Sequence, residues 1–328
     1  KQYLEIGGKP IIVHTLEHFL EYENFEKIIV LCPKEWIGYT KDIIRDKCSE
    51  NKAIDIEIIA GGDSRNETIM NGTAYIEKNY GIEWLRILSM YMVAVLHTLG
   101  QGGILGSFKQ GDLSFSIAWF LETAAFGAVD CFALISGYVG YHSHFRYKKG
   151  LRLWFQTFFY TLGITILFAI FMPEAVTKDQ WIAAFFPIMK KQYWYMTAYS
   201  GLFILIPILN RAIVNLSGRE LLKICLAIFV VFSLIPTLLN ETVFGLGGGY
   251  SAIWLLLLYI CGGFWGKYHE ICLTHLPDFC FRHRLFLPFL FYLLCTTISF
   301  LLKMFGFSQY VSYTSPTIFL GSCALFFL

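Results

Sequence analysis

Glu83-Trp84-Leu85-Arg86-Ile87-Leu88-Ser89-Met90-Tyr91-Met92-Val93-Ala94-Val95-Leu96-His97-Thr98-Leu99 is where the character of the sequence changes. Before it, residues 1–83 are rich in Lys, Glu and Asp. After it, residues 84–328 run as long apolar stretches broken by short polar loops. Averages hide the division. Over 328 residues the chain is 56% hydrophobic and 18% aromatic, with only 15% charged, whereas a soluble globular domain carries roughly 25% charged residues. A deficit this large requires a second solvent, so the chain reads as a small soluble segment (1–82) joined to a large membrane segment (83–328).

A hydrocarbon core about 30 Å thick takes about 20 apolar residues of helix. Eight stretches reach or approach that length: about 84–99, 116–141, 152–172, 193–209, 222–239, 250–266, 285–302 and 315–328. Helix satisfies the backbone within one segment, so in lipid these read as helices, with Pro207, Pro236 and Pro288 as candidate kinks. The expected fold is a mainly α polytopic membrane bundle of about eight spans, preceded by a small incomplete α/β segment. The chain opens at Lys1 without a methionine and closes in Ala324-Leu325-Phe326-Phe327-Leu328, so it is expected to be part of a longer protein. No signal peptide is legible at its start.

The net charge of +2 says little, but its placement says more. With the N-terminal segment inside, the inner loops hold Arg146, Lys148, Lys149, Arg152, Arg211, Arg219, Lys223, Lys267, Arg282 and Arg284. The outer loops hold Lys109, Lys178, Lys190, Lys191 and Lys303. That bias favours a cytoplasmic N-terminus. The charge pattern gives no reason to expect a nucleic-acid partner, and it leaves the oligomeric state open. Nine cysteines form no CxxC pair; Cys131, Cys225, Cys261, Cys295 and Cys323 sit in apolar runs as small hydrophobes, and no metal site is expected at Cys272 or Cys280.

Within 1–83 two periods alternate. Pro10 to Tyr22 reads as a helix, Lys27 to Leu31 as a strand, Trp36 to Lys47 as a helix and Ile54 to Ile59 as a strand. Gly61-Gly62-Asp63-Ser64-Arg65 then turns into a third helix ending near Tyr80. Such alternation implies parallel strands. Lys1-Gln2-Tyr3-Leu4-Glu5-Ile6-Gly7-Gly8-Lys9-Pro10-Ile11, with His14-Thr15, resembles the sugar-phosphate cytidylyltransferases of the methylerythritol phosphate and ribitol 5-phosphate type. The Gly61 to Gly72 stretch is similar to their second nucleotide-binding region. The resemblance implies that Lys1 meets CTP phosphates and that Gly62, Asp63 and Thr68 line a cytidine pocket, with Mg and CTP needed only if this segment is active. The family's glycine-rich phosphate loop and the half of its fold that carries the metal-binding aspartate have no counterpart here. The segment is therefore expected to be a vestigial nucleotide site.

In the first span Arg86 and His97 stand eleven residues apart. At about 100° and about 1.5 Å per residue they share one helix face, roughly 16 Å apart along the axis. Ionisable groups inside a span are costly and mark a cavity, a partner or a substrate path. Spacing alone leaves open a snorkelling arginine and an interfacial histidine.

Arg86, ten residues and His97 at the opening of the first span resemble the signature of the acyltransferase type 3 family of integral-membrane acyltransferases. Ala128-Val129-Asp130-Cys131-Phe132-Ala133-Leu134-Ile135-Ser136-Gly137-Tyr138 is similar to its motif at the end of the second span, and Phe145 to Trp154 to its basic loop. Tyr193 to Tyr199 and Gly248 to Trp254 resemble later spans of its O-acetyltransferases. The resemblance covers about 83–328. It implies transfer of an acetyl group from acetyl-CoA to a hydroxyl of a cell-envelope glycan or lipid-linked sugar, at a bacterial-type plasma membrane. His97 is then the expected base, since an imidazole titrates near about 6.5. Arg86 is expected beside it, and Arg146, Lys149 and Arg152 with Lys148 at the donor's phosphates. Glu122 and Asp130 are the supporting acids of the second span. Ser136 reads either as a covalent relay or as half of a Ser-Gly packing pair. Two alternatives stay open: a transporter or flippase with an Arg86/His97 path, and an active cytidylyltransferase fragment.

Overall fold

The structure, a computed structural model, describes residues 2–20, 27–47, 55–143, 145–274 and 286–327. Lys1, Cys280, Arg282 and Arg284 lie outside these residues. The chain divides into two units, Lys1–Glu83 and Trp84–Leu328.

In the first unit, β1 (Glu5–Ile6) and β2 (Lys9–Pro10) pair antiparallel across Gly7 and Gly8. Their φ values of +60° and +79° are what a two-residue hairpin turn demands and what only glycine adopts without strain. α1 (Ile11–Leu20) follows, then β3 (Lys27–Cys32), α2 (Ile37–Lys47) and β4 (Asp55–Ala60). β3 and β4 pair in parallel, Ile28 opposite Ile56 and Val30 opposite Ile58. Ile12, Val13 and Leu16 on α1 and Ile44 on α2 form the small core, against Ile28, Val30, Ile56 and Ile58. The expected α/β alternation is present; the hairpin was not expected from the sequence. α3 (Arg65–Leu96) belongs to this unit up to Glu83 and to the second from Trp84, so the third helix does not end near Tyr80.

In the second unit, α3 ends in a π-helical turn, His97–Gln101. A short α4 (Ile104–Ser107) leads to α5 (Leu113–Ala125), which breaks at Phe126-Gly127 before α6 (Ala128–Gly140). α7 (Tyr147–Phe171), α8 (Lys178–Phe185), α9 (Trp194–Asn215), α10 (Gly218–Ile228), a π segment (Phe229–Leu234) and α11 (Ile235–Leu239) follow. α12 (Ala252–Thr274), α13 (Phe286–Met304) and α14 (Pro316–Phe326) complete the described chain. Helix occupies each of the eight apolar stretches, but the count of eight spans is not confirmed among the described residues. Six described helical segments are long and apolar enough to cross a membrane: 80–101, 113–140, 147–171, 194–215, 218–239 and 286–304. The other two, Ala252–Tyr268 and Pro316–Phe326, are shorter apolar helices among the described residues.

α6 lies at the centre, packed on α12 and α14; α12 also packs on α9 and α10, and α13 on α5 and α14. The α6–α12 contact is close because glycine permits it. A Cβ on Gly137 would overlap the Tyr259 carbonyl, one on Gly262 the Leu134 carbonyl, and one on Gly266 the Tyr138 carbonyl. A polar clamp adds α9: the Tyr259 hydroxyl donates to Asn210 Oδ1 at 2.7 Å, and Asn210 Nδ2 to the Gly140 carbonyl at 2.8 Å. Lys267 reaches from α12 and donates to the carbonyls of Ile213, Val214 and Leu216 at 2.9, 2.7 and 2.7 Å. It closes the C-terminus of α9, whose last carbonyls have no helical partner.

α7 presents mostly exposed apolar side chains. Its hydroxyls do not need outside partners, because Thr157, Thr161 and Thr165 donate to carbonyls four residues back at 2.9, 2.7 and 2.9 Å. That arrangement suits a helix facing lipid.

Candidate active site

The buried stripe of α3 in the membrane unit is Leu85, Ser89 and Met92. At about 100° per residue, Arg86 and His97 lie roughly a quarter to a third of a turn round from that stripe, on one shared flank. Arg86 is half-buried and His97 exposed. His97 opens the π turn, and its Nδ1 stands 2.8 Å from the Val93 carbonyl oxygen. A carbonyl only accepts, so Nδ1 carries the proton and Nε2 keeps its lone pair in the neutral ring. π turns widen a helix by one residue and recur at functional sites. This one packs against α5.

The contact is made at Glu122. It is 7% exposed, its Oε2 has no hydrogen-bond partner, and its Oε1 is 3.3 Å from where a Cβ on Gly100 would stand. Gly100 thus leaves room for a carboxyl group one turn beyond His97. Neither Glu122 nor Asp130 hydrogen-bonds His97 among the described residues.

Asp130 is fully buried near the start of α6. Its Oδ1 accepts from Trp254 Nε1 at 3.0 Å, and its Oδ2 has no partner. Burying a carboxyl oxygen unpaired costs free energy, so two such oxygens in one bundle need an explanation beyond packing. Ser136 spends its hydroxyl on the Phe132 carbonyl at 2.8 Å, while Gly137 beside it makes the α12 contact.

The two aromatic motifs of the sequence converge on a residue it did not single out, Tyr313. Trp194 lies 4.5 Å from Tyr250 and 5.8 Å from Tyr313 between ring centroids, and Tyr250 and Tyr313 are 5.0 Å apart. Phe126, one turn after Glu122, is 5.1 Å from Tyr313. Burial pushes the Tyr313 phenol above its ordinary range; neighbouring Tyr250 adds to this, and Asp130 and Glu122 act in the same direction. Gly249, at φ +97°, lets Tyr313 close in, since a Cβ there would overlap the tyrosine's own Cβ. Nothing in Ser312-Tyr313-Thr314 marks it beforehand.

Arg146, Lys149 and Arg152 are exposed, with Arg146 immediately preceding α7 and Lys149 and Arg152 in its first turns. They follow the end of α6 opposite to Asp130, roughly 15 Å along that helix. No group of three His, Cys, Asp or Glu among the described residues is placed to hold a metal ion.

In the first unit Gly62 and Thr68 are joined, Gly62 N donating to Thr68 Oγ1 at 3.0 Å. Asp63 N donates to Glu67 Oε2 at 2.9 Å, and Glu67 N to Ser64 Oγ at 3.1 Å. The amides that would meet a phosphate are thus engaged by the helix's own first turn. Lys1 lies outside the described residues.

The second unit thus combines apolar helices, a histidine at a π turn and two partly unpaired carboxyl groups. Residues 79–328 match the family described as acyltransferase domain, and the chain belongs to that family. Its apolar helices and this domain fit a multi-pass membrane protein. Residues 1–87 match 2-C-methyl-D-erythritol 4-phosphate cytidylyltransferase. A ribitol-5-phosphate cytidylyltransferase of Lactiplantibacillus plantarum is 40% identical over 83 residues, 25% of this chain and 34% of that protein. The chain therefore spans about a third of that relative's length. No solved structure matches the chain.

Proposed function

We propose that this acyltransferase moves an acetyl group from acetyl-CoA to a hydroxyl of a cell-envelope glycan or lipid-linked sugar, with His97 as general base. The observation that carries the proposal is the histidine's anchoring: Nδ1 is held by Val93 and Nε2 is left as the basic nitrogen at an exposed turn. Nε2 takes the acceptor hydroxyl's proton as that oxygen attacks the thioester carbonyl; the C–S bond breaks and the thiolate leaves with CoA. A base so placed contributes about 10² to 10⁴ in rate.

Arg86 shares the histidine's helix face, on the side of the bundle where the donor enters. Arg146, Lys149 and Arg152 supply the cations that a phosphorylated donor needs, where a guanidinium fork binds phosphate well. Glu122 and Asp130 are supporting groups whose unpaired oxygens await a hydroxyl donor from substrate. We place the enzyme in a bacterial-type plasma membrane with a cytoplasmic N-terminus, in line with the Lys and Arg bias of its loops. In this reading Gly62, Asp63, Thr68 and Lys1 are the vestige of a CTP site.

The test is acetyl transfer by membranes from cells expressing the chain, supplied with acetyl-labelled acetyl-CoA. Label entering envelope glycan only when the chain is present supports the proposal. Label that stays on CoA, or enters glycan equally without the chain, overturns it.

A further inference from the structure

A cleft of about 160 Å³ lies between the 240–248 loop and residues 309–314, lined by the two neighbours of Tyr313, Ser312 and Thr314. That is several times the space one water needs. Contacts connect it to the histidine's turn: Gly100 to Glu122, Phe126 to Tyr313, and the flanking Ser312, whose Oγ donates to the Gly248 carbonyl at 3.0 Å.

The cleft's frame is fixed by its own hydrogen bonds. Ser233 Oγ donates to the Thr314 carbonyl at 2.7 Å, pinning the second wall to the π segment before α11. Asn240 ends α11 in the left-handed region at φ +54°, and Glu241 N donates to the Pro236 carbonyl at 3.0 Å. That turn aims consecutive side chains into the opening. The lining side chains themselves are unspent. Among the described residues no hydrogen bond of the protein engages the side chains of Thr237, Asn240, Glu241, Thr242 or Gln309. Thr237 lines the cleft with only 6% of the residue exposed. These side chains keep their donors and acceptors available to a ligand in the cleft.

The chemistry of these groups is specific. Hydroxyls and amides both donate and accept, which matches the alternating donor and acceptor character of sugar hydroxyls. No Lys or Arg lines the cleft, so nothing there compensates a phosphate. We propose that this cleft is the subsite for a neutral saccharide acceptor, held by Thr237, Asn240, Glu241 and Gln309 with its reacting hydroxyl directed past Tyr313 toward the turn that bears His97. This deepens the acyl-transfer proposal and rests on it for the direction of the reacting hydroxyl, but binding is separable from transfer.

The full chain in detergent is probed with the neutral trisaccharide of N-acetylglucosamine, without donor, by saturation-transfer difference NMR. The subsite gives trisaccharide signals in the wild type and equally in His97→Ala. In the triple variant Asn240→Gly, Glu241→Gln, Gln309→Ala the affinity falls about tenfold or more, the loss of one to two hydrogen bonds. Glycine accepts the left-handed turn and Glu241 is exposed, and an unchanged melting midpoint in detergent checks that folding is retained. Thr237→Val, which keeps the shape and removes the hydroxyl, weakens binding in the same direction. Absent signals, or equal affinity in the triple variant, overturn the proposal. So does glucose 1-phosphate binding as well as the trisaccharide through the same residues. A chain that binds the trisaccharide but never consumes acetyl-CoA would sink the acyl-transfer proposal and leave the subsite standing.

Discussion

Asp130 and Trp254 lie 124 positions apart in sequence, and the 3.0 Å bond between them shows how far residue types alone reach. The sequence identified Asp130 as an acid inside a span and Trp254 as the end of an aromatic motif. It could not pair them, because the pairing depends on how α6 and α12 approach. The bond makes a prediction. Trp254→Phe keeps the buried ring and leaves Asp130 with no partner on either oxygen, so the protein loses about 1–3 kcal/mol. Asp130→Asn retains an acceptor for the indole N–H and loses less. Thermal unfolding in detergent separates the two; equal losses would show the bond to be incidental. The shared flank of His97 and Arg86 was legible at this scale because a single helix fixes their relation. The π turn at His97 was not, since no residue type codes for it.

At the scale of elements, apolar length foretold where helices form, because lipid leaves the backbone no other partner. It did not foretell the break at Phe126-Gly127, which splits the second span, nor the continuity of α3 past Tyr80. At the break a neighbour comes close: Gly127 accommodates Ser322, whose Oγ would lie 2.9 Å from a Cβ there. The glycines of α6 and α12 carry the strongest consequence. Gly137→Ala forces the helices apart against a backbone carbonyl, an overpacking cost of about 1–3 kcal/mol, whereas Gly163→Ala on α7, with open space around it, costs nothing measurable. Comparing the two melting midpoints checks this. Lys267 was counted among the inner-loop cations, but its ammonium is occupied by three carbonyls of the α9 terminus. Lys267→Met therefore lowers stability and leaves the Michaelis constant for acetyl-CoA unchanged, a pairing that steady-state kinetics and unfolding together read out. A raised constant would instead place Lys267 at the donor site.

For the whole molecule, composition separated a polar segment from a membrane segment, and family resemblance supplied the chemistry. Physical reading of the sequence stopped short of the aromatic cluster on Tyr313 and of the cleft beside it, because both are assembled from loops that follow different spans. The N-terminal unit holds two parallel strands and one small core, and its candidate phosphate amides are engaged by Glu67 and Thr68. Substituting Asp63→Ala with Thr68→Ala is accordingly expected to leave acetyl transfer unchanged; a fall in transfer would tie the first unit to the reaction.

The central claim is that His97 takes the proton. Membranes carrying wild type or His97→Ala are given labelled acetyl-CoA, and acetyl incorporation into envelope glycan is counted, with the amount of inserted protein matched by immunoblot. The result expected is a fall of about 10² to 10⁴ in rate with insertion intact. Undiminished transfer by the inserted variant would contradict it.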